Sequence, residues 1–93
     1  MVRVVLPGPL RSYNGGEATL VVEGAPPATV GDLLDALRRR HASVYACICT
    51  ERHQVRPHVN IFVGSEDIRW AGGLEAPIPA GSEVVILPSV SGG

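Results

Sequence analysis

The sequence closes on two glycines, Gly92-Gly93, and this pair is its clearest chemical signal. With 11 glycines among 93 residues, chance places two of them there in about 1% of sequences. A terminal carboxylate is a poor electrophile and must become an acyl-adenylate or a similar species before a nucleophile attacks it. Because glycine has no Cβ and accepts φ of either sign, such an end can enter a narrow channel. The pattern favours Gly93 as a carboxylate that another protein activates, and a frayed end without a role is the alternative.

The residues before the glycines separate a folded body from a tail. Pro88 follows a run of β-branched residues and fixes where the body ends. Five extended residues, Ser89 to Gly93, reach roughly 16 Å, which is enough to enter a neighbouring active site. We therefore predict one domain over residues 1–88 and a flexible tail over residues 89–93.

The other side chains that often do chemistry form no recognisable site. The three histidines, His41, His53 and His58, lack metal-site spacing. Cys47 and Cys49 are too close for a usual zinc hook, and the sequence has no second cysteine pair. We predict no catalytic residue, no metal and no bound cofactor, with both cysteines buried and inert.

Composition and charge indicate the cellular compartment and exclude some classes of partner. The formal net charge is −1, so no electrostatic footprint for nucleic acid is visible. No apolar run approaches the ~20 residues that span a membrane, and the first residues lack signal-peptide features. We expect a cytoplasmic protein with no nucleic-acid or membrane partner. All eight of its lysine and arginine positions are arginine. The chain therefore has no lysine that could accept an isopeptide bond from the C-terminus of a second copy.

Hydrophobic periodicity predicts the elements that must position the tail. Thr29 and Asp32 have capping-box spacing at the start of a helix, on which Asp35 and Arg39 can pair. Strands are predicted at residues 2–6, 18–22, 59–63 and 84–87, with a short strand at 68–70 after a turn at 64–67. Residues 42–56 fit either a second short helix or a loop.

These elements predict a fold and a core. The first and last strands are nearly continuous apolar runs, which suit the middle of a sheet. One main helix on one face of a mixed sheet, with the chain ends adjacent at its centre, is the ubiquitin-like β-grasp arrangement of the α+β class. The predicted core residues are Val2, Val4, Leu20, Val30, Leu33, Leu34, Leu37, Ile61, Val84 and Ile86.

Two stretches resemble the ubiquitin-like sulfur-carrier family (MoaD/ThiS-like proteins). They are residues 58–74, HVNIFVGSEDIRWAGGL, and residues 78–93, IPAGSEVVILPSVSGG. The family includes the small subunit of molybdopterin synthase and the thiamine-pathway and cysteine-pathway carriers. The strand at Asn60, the turn at 66–69 and the Gly72-Gly73-Leu74 step resemble the cysteine-pathway carrier most.

The resemblance implies a carrier and substrate of other enzymes rather than an enzyme. An E1-like enzyme would use ATP to adenylate Gly93, and a sulfur donor of the rhodanese or cysteine desulfurase type would convert it to a thiocarboxylate. A downstream synthase would then take the sulfur for cysteine, molybdopterin or thiamine. The tail pattern is the most specific element of the resemblance, and the residues expected to be recognised there are Pro88, Val90, Ser91 and Gly92.

We also predict an apolar docking patch beside the root of the tail. Its candidate members are Phe62, Leu74 and Leu87, because large apolar groups exposed together usually mark interfaces. Two other function classes stay open. One is a ubiquitin-like modifier joined to proteins through Gly93, and the other is a β-grasp binding module whose tail is incidental.

Overall fold

The computed structural model describes residues 1–24 and 27–88, so the predicted tail at 89–93 lies outside the described residues. The strands are β1 (Val2–Val5), β2 (Thr19–Val22), β3 (Val59–Val63), β4 (Glu66–Asp67) and β5 (Glu83–Pro88). The helices are α1 (Val30–Arg40) and α2 (Ala42–Ile48). Short 3-10 helices occupy Gly8–Asn14, Ile68–Trp70 and Gly73–Glu75.

The five strands form one mixed sheet in the order β2-β1-β5-β3-β4. β1 and β5 run parallel, with Val4 opposite Val84, and β5 is antiparallel to β3 on its other side. The first and last strands therefore lie side by side in the interior of the sheet, which is where continuous apolar strands are stable. The predicted β-grasp fold is confirmed.

α1 begins and packs as its sequence predicts. The Thr29 hydroxyl oxygen accepts the Asp32 backbone N–H at 3.2 Å and so caps the first turn. On the wet face, the Asp35 carboxylate pairs with Arg38 at 2.8 Å and with Arg39 at 3.2 Å. The hydrogen bond from Arg38 holds the pKa of Asp35 below its usual value.

All ten predicted core residues are buried. The ambiguous stretch after α1 adds to them, because α2 buries Val44, Tyr45 and Ile48 against the same core. Among the described residues, no helix is both long enough and apolar enough to cross a membrane.

The prediction after β3 was wrong in its details. The short strand is at Glu66–Asp67, where a turn was predicted, and residues 68–70 form a 3-10 turn instead of a strand. The Asp67 carboxylate accepts the Arg69 backbone N–H at 2.9 Å and so starts that turn. Gly72 then takes φ 108°, a left-handed conformation that side chains disfavour, and the chain reverses there.

Candidate tail root and docking face

β5 carries the chain to the root of the tail. Its last residue, Pro88, lies opposite Val59 at the start of β3, and both Leu87 and Pro88 are exposed. Val84 and Ile86 point into the core, so Val85 and Leu87 point to the other face of the sheet. The last described residue, Pro88, is therefore the exposed end of an interior strand. The predicted carrier residue Gly93 and the recognition residues Gly92, Ser91 and Val90 lie outside the described residues.

The face of the sheet that turns away from the helices is partly apolar. Phe62 on β3 lies opposite Val85 on β5, and both are half-buried. Leu87, one step further towards the tail, is 42% exposed. We call this surface the docking face; its apolar members are Val5, Val21, Phe62, Val85 and Leu87.

Of the three residues predicted to form one patch, Phe62 and Leu87 share the docking face. Leu74 does not, because it lies in the 3-10 turn before β5 and packs against Gly31 of α1. It is 40% exposed, but on the helix side of the sheet.

Asn60 is a polar exception on the docking face. It lies opposite Leu87, and its side-chain Oδ1 is buried. Within residues 1–24 and 27–88, this oxygen has no hydrogen-bond partner. A buried acceptor of this kind is costly unless it is paired.

A small apolar hollow of about 180 Å3 lies at the tail root. It is lined by Pro7, Leu10, Cys47, His58, Leu87 and Pro88, among others. Cys47 is half-buried here, so the prediction that both cysteines are buried was wrong for it. Sequence reasoning missed this neighbourhood because α2 brings Cys47 to β5 only through tertiary packing.

Cys49 is the buried cysteine. Burial raises the pKa of its thiol, which keeps it protonated and unreactive. Its neighbour Tyr45 contacts His53 Nδ1 through its hydroxyl group at 2.6 Å. Among the described residues, no cluster of three histidine, cysteine or acidic side chains is arranged to hold a metal.

The chain is similar to known proteins along its whole length. The ThiS family model matches residues 4–93. The sulfur carrier protein CysO of Mycobacterium tuberculosis is 33% identical over 94 residues, which cover 99% of this chain and 98% of the relative. CysO in the crystal structure of the Amycolatopsis orientalis BexX/CysO complex is 38% identical, with a TM-score of 0.82 and 100% of both chains covered. SAMP1 from Haloferax volcanii is 29% identical, with a TM-score of 0.76 and 99% of this chain and 98% of that chain covered.

Proposed function

Because this chain belongs to the ThiS family, we propose that it is a sulfur carrier protein that holds sulfur as a thiocarboxylate at Gly93. The observation that carries the proposal is the family match, which extends from residue 4 through Gly92-Gly93. The similarity to CysO favours cysteine biosynthesis as the destination of the sulfur. Molybdopterin and thiamine synthesis are the other pathways to be tested.

The proposed chemistry takes place in two steps on the terminal carboxylate. A carboxylate oxygen of Gly93 attacks the α-phosphate of ATP in the partner enzyme, which releases pyrophosphate and leaves an acyl-adenylate. Sulfide then attacks the carbonyl carbon and displaces AMP, so the C–O bond to AMP is replaced by a C–S bond. If the donor is a persulfide, a thiol must also supply two electrons to cleave the S–S bond.

The positions of the tail root and the docking face support this role. The tail root is at the exposed end of β5, and the docking face adjoins it through Leu87. An enzyme that rests on Phe62 and Leu87 has Pro88, the last described residue, directly beside its contact surface. The chain needs no catalytic residue of its own in this scheme.

We propose three classes of partner. They are an E1-like adenylating enzyme that uses ATP, a sulfur donor of the rhodanese or cysteine desulfurase type, and a sulfur-accepting synthase. The complex of a related CysO chain with BexX supports the expectation that the carrier binds a partner protein.

The test is sulfur loading in a purified mixture. The full chain is incubated with ATP, a cognate adenylating enzyme and sulfide, and its C-terminal peptide is weighed. Replacement of oxygen by sulfur adds about 16 Da, and oxidation of Met1 or a cysteine adds the same, so the shift must be located in that peptide. A plain carboxylate, under conditions in which the same enzyme loads a control carrier, contradicts the proposal.

The likeness to SAMP1 favours a second candidate, a protein modifier. The small archaeal modifier protein 1 of Haloferax volcanii is 33% identical over 78 residues, which cover 84% of this chain. In that role Gly93 would be joined to a lysine amine of a target protein. Isopeptide-linked fragments ending in the tail sequence, found in cells without any thiocarboxylate, would favour the modifier.

A further inference from the structure

A second apolar surface lies beside β3, on the helix side of the sheet. It is a groove of about 460 Å3 between the loop that follows α2 and the 3-10 turns that follow β4. We call it the β3 groove. Its apolar lining consists of Val55, Pro57, Val59, Ile61, Ile68 and Leu74.

One side of the groove is a strand edge. β5 pairs with all five residues of β3, whereas β4 pairs only with Phe62 and Val63. Within the described part of the chain, no strand pairs with Val59 through Ile61 on the side where β4 lies, although the Val59 backbone N–H already donates to the Arg56 carbonyl at 3.0 Å. Such an edge accepts an extended segment by strand addition, with alternate side chains entering neighbouring pockets.

Two large apolar side chains are exposed in the 3-10 turns beside the groove, and one of them, Leu74, belongs to its lining. Leu74 is 40% exposed. Trp70 follows the lining residue Arg69 directly and is 84% exposed. Tryptophan dominates binding energy at many interfaces, and apolar groups exposed together usually mark one.

The groove has a positive rim. Arg56 and Arg69 line it, and no aspartate or glutamate does. Asp67 is 3.8 Å from Arg69, at the limit of an ion pair, and no carboxylate among the described residues pairs with Arg56. This local excess of positive charge contrasts with the chain's formal charge of −1.

Hydrogen bonds within the chain fix both sides of the groove, the loop after α2 and the 3-10 turns after β4. The Arg56 backbone N–H donates to the Ile48 carbonyl at 2.9 Å, and its side-chain Nε donates to the Ala46 carbonyl at 3.1 Å. On the other wall, the Ala71 N–H donates to the Ile68 carbonyl at 3.0 Å. A preformed groove loses little conformational entropy on binding.

We propose that the β3 groove binds an extended, acidic segment of a partner protein. An aliphatic side chain of that segment enters the apolar lining, and flanking carboxylates contact Arg56 and Arg69. The pairing is complementary in charge, and the part of the β3 edge that no strand covers receives the segment's backbone. This contact uses neither Gly92 nor Gly93 and does not depend on the proposed sulfur chemistry.

The test uses the isolated full-length protein and three synthetic peptides. The probe is acetyl-Glu-Asp-Leu-Ile-Val-Asp-Glu-amide. One control replaces its four acidic residues with lysine, and the other replaces its three aliphatic residues with glycine. Binding is followed by the fluorescence of Trp70, the single tryptophan, and by amide NMR shifts at Val55, Ile61 and Leu74.

We expect the acidic probe to bind at least about tenfold more tightly than either control, because both charge and apolar contact contribute. Arg69→Glu and Leu74→Glu should each weaken it about fivefold or more, since both side chains are exposed enough to change without unfolding the protein. Arg39→Glu, which changes the same charge on the exposed face of α1, should leave binding unchanged.

Several results would overturn the proposal. One is equal binding of acidic and lysine-containing peptides, and another is unchanged binding in Arg69→Glu. Tighter binding of an oligothymidylate of about eight nucleotides would assign the groove to nucleic acid instead. Movement of the groove resonances on deletion of Gly93, without any peptide, would make the chain's own tail the occupant.

Discussion

The sheet presents one face to α1 and α2 and the other to solvent, and apolar residues occupy both. On the helix side, Val4 and Val84 are fully buried and Ile61 is 1% exposed. On the docking face, Phe62 and Val85 stay half-buried and Leu87 is 42% exposed. Apolar area that remains in water adds little to folding free energy, so the docking face is free to serve contact with a partner. Mutations on the helix side should therefore lower stability, and mutations on the docking face should weaken partner binding with little effect on stability.

The largest expected effect lies beyond both faces, in the tail. Deletion of Gly93 should abolish sulfur loading and leave the melting temperature unchanged, since a terminal residue contributes little to stability. Gly92→Val should nearly do the same, because a β-branched side chain does not fit a channel shaped for glycine. Intact mass measures loading, and thermal unfolding is the control for the fold. Normal loading of Gly92→Val would argue against a narrow channel.

A matched pair of leucines compares the two faces by stability. Leu34→Ala on the helix side should cost ~2–5 kcal/mol in free energy of unfolding, because it leaves a cavity in the core. Leu87→Ala on the docking face should cost less than about 1 kcal/mol, because water already reaches that side chain. Urea denaturation of both variants checks this. Similar losses of unfolding free energy in the two variants would contradict the assignment of Leu34 to the core and Leu87 to the docking face.

A second pair compares surfaces by function. Leu87→Asp should slow sulfur loading about tenfold or more, because it places a charge at the centre of the proposed enzyme contact. Leu74→Asp makes the same change on the helix side and should leave the loading rate near that of the wild type. Single-turnover loading by the adenylating enzyme gives both rates. An equal loss in both variants would mean that the docking surface extends around the edge of the sheet.

The cysteines should affect stability more than function. The double variant Cys47→Ser, Cys49→Ser should still be loaded with sulfur, because the proposed scheme uses neither thiol. Cys49→Ser should lower stability by about 1–3 kcal/mol, since it puts a more polar hydroxyl group at a buried position. Cys47→Ser, at the half-buried tail root, should have a smaller effect. A folded double variant that cannot be loaded would show that a thiol takes part.

The smallest expected effect is the pH dependence contributed by Asp35. Arg38 lowers the pKa of this carboxyl in the folded state below its ordinary value of 3.8. Its stabilising contribution is therefore present above that value and is lost as the pH falls through the folded-state pKa. Asp35→Asn should melt slightly below the wild type at neutral pH and match it in strong acid. A difference that grows in acid would have the wrong sign.

Local pattern was sufficient to predict α1, the long strands and ten of the buried core residues. The helix stripe from Val30 to Leu37 and the alternation of β3 follow from periods of 3.6 and 2.0 residues, which the backbone imposes. The continuous apolar runs of β1 and β5 predicted their interior positions. The Gly-Gly end and the sequence around it were enough to suggest the family.

What the sequence alone determined is thus α1, the long strands and the buried face of each of these elements. Only the tertiary structure decided which exposed groups are neighbours. It separated Leu74 from Phe62 and Leu87, brought Cys47 to the tail root and placed Arg56 and Arg69 on one groove. Periodicity assigns a residue to a face of its own element, but the distance between two elements depends on how the whole chain packs.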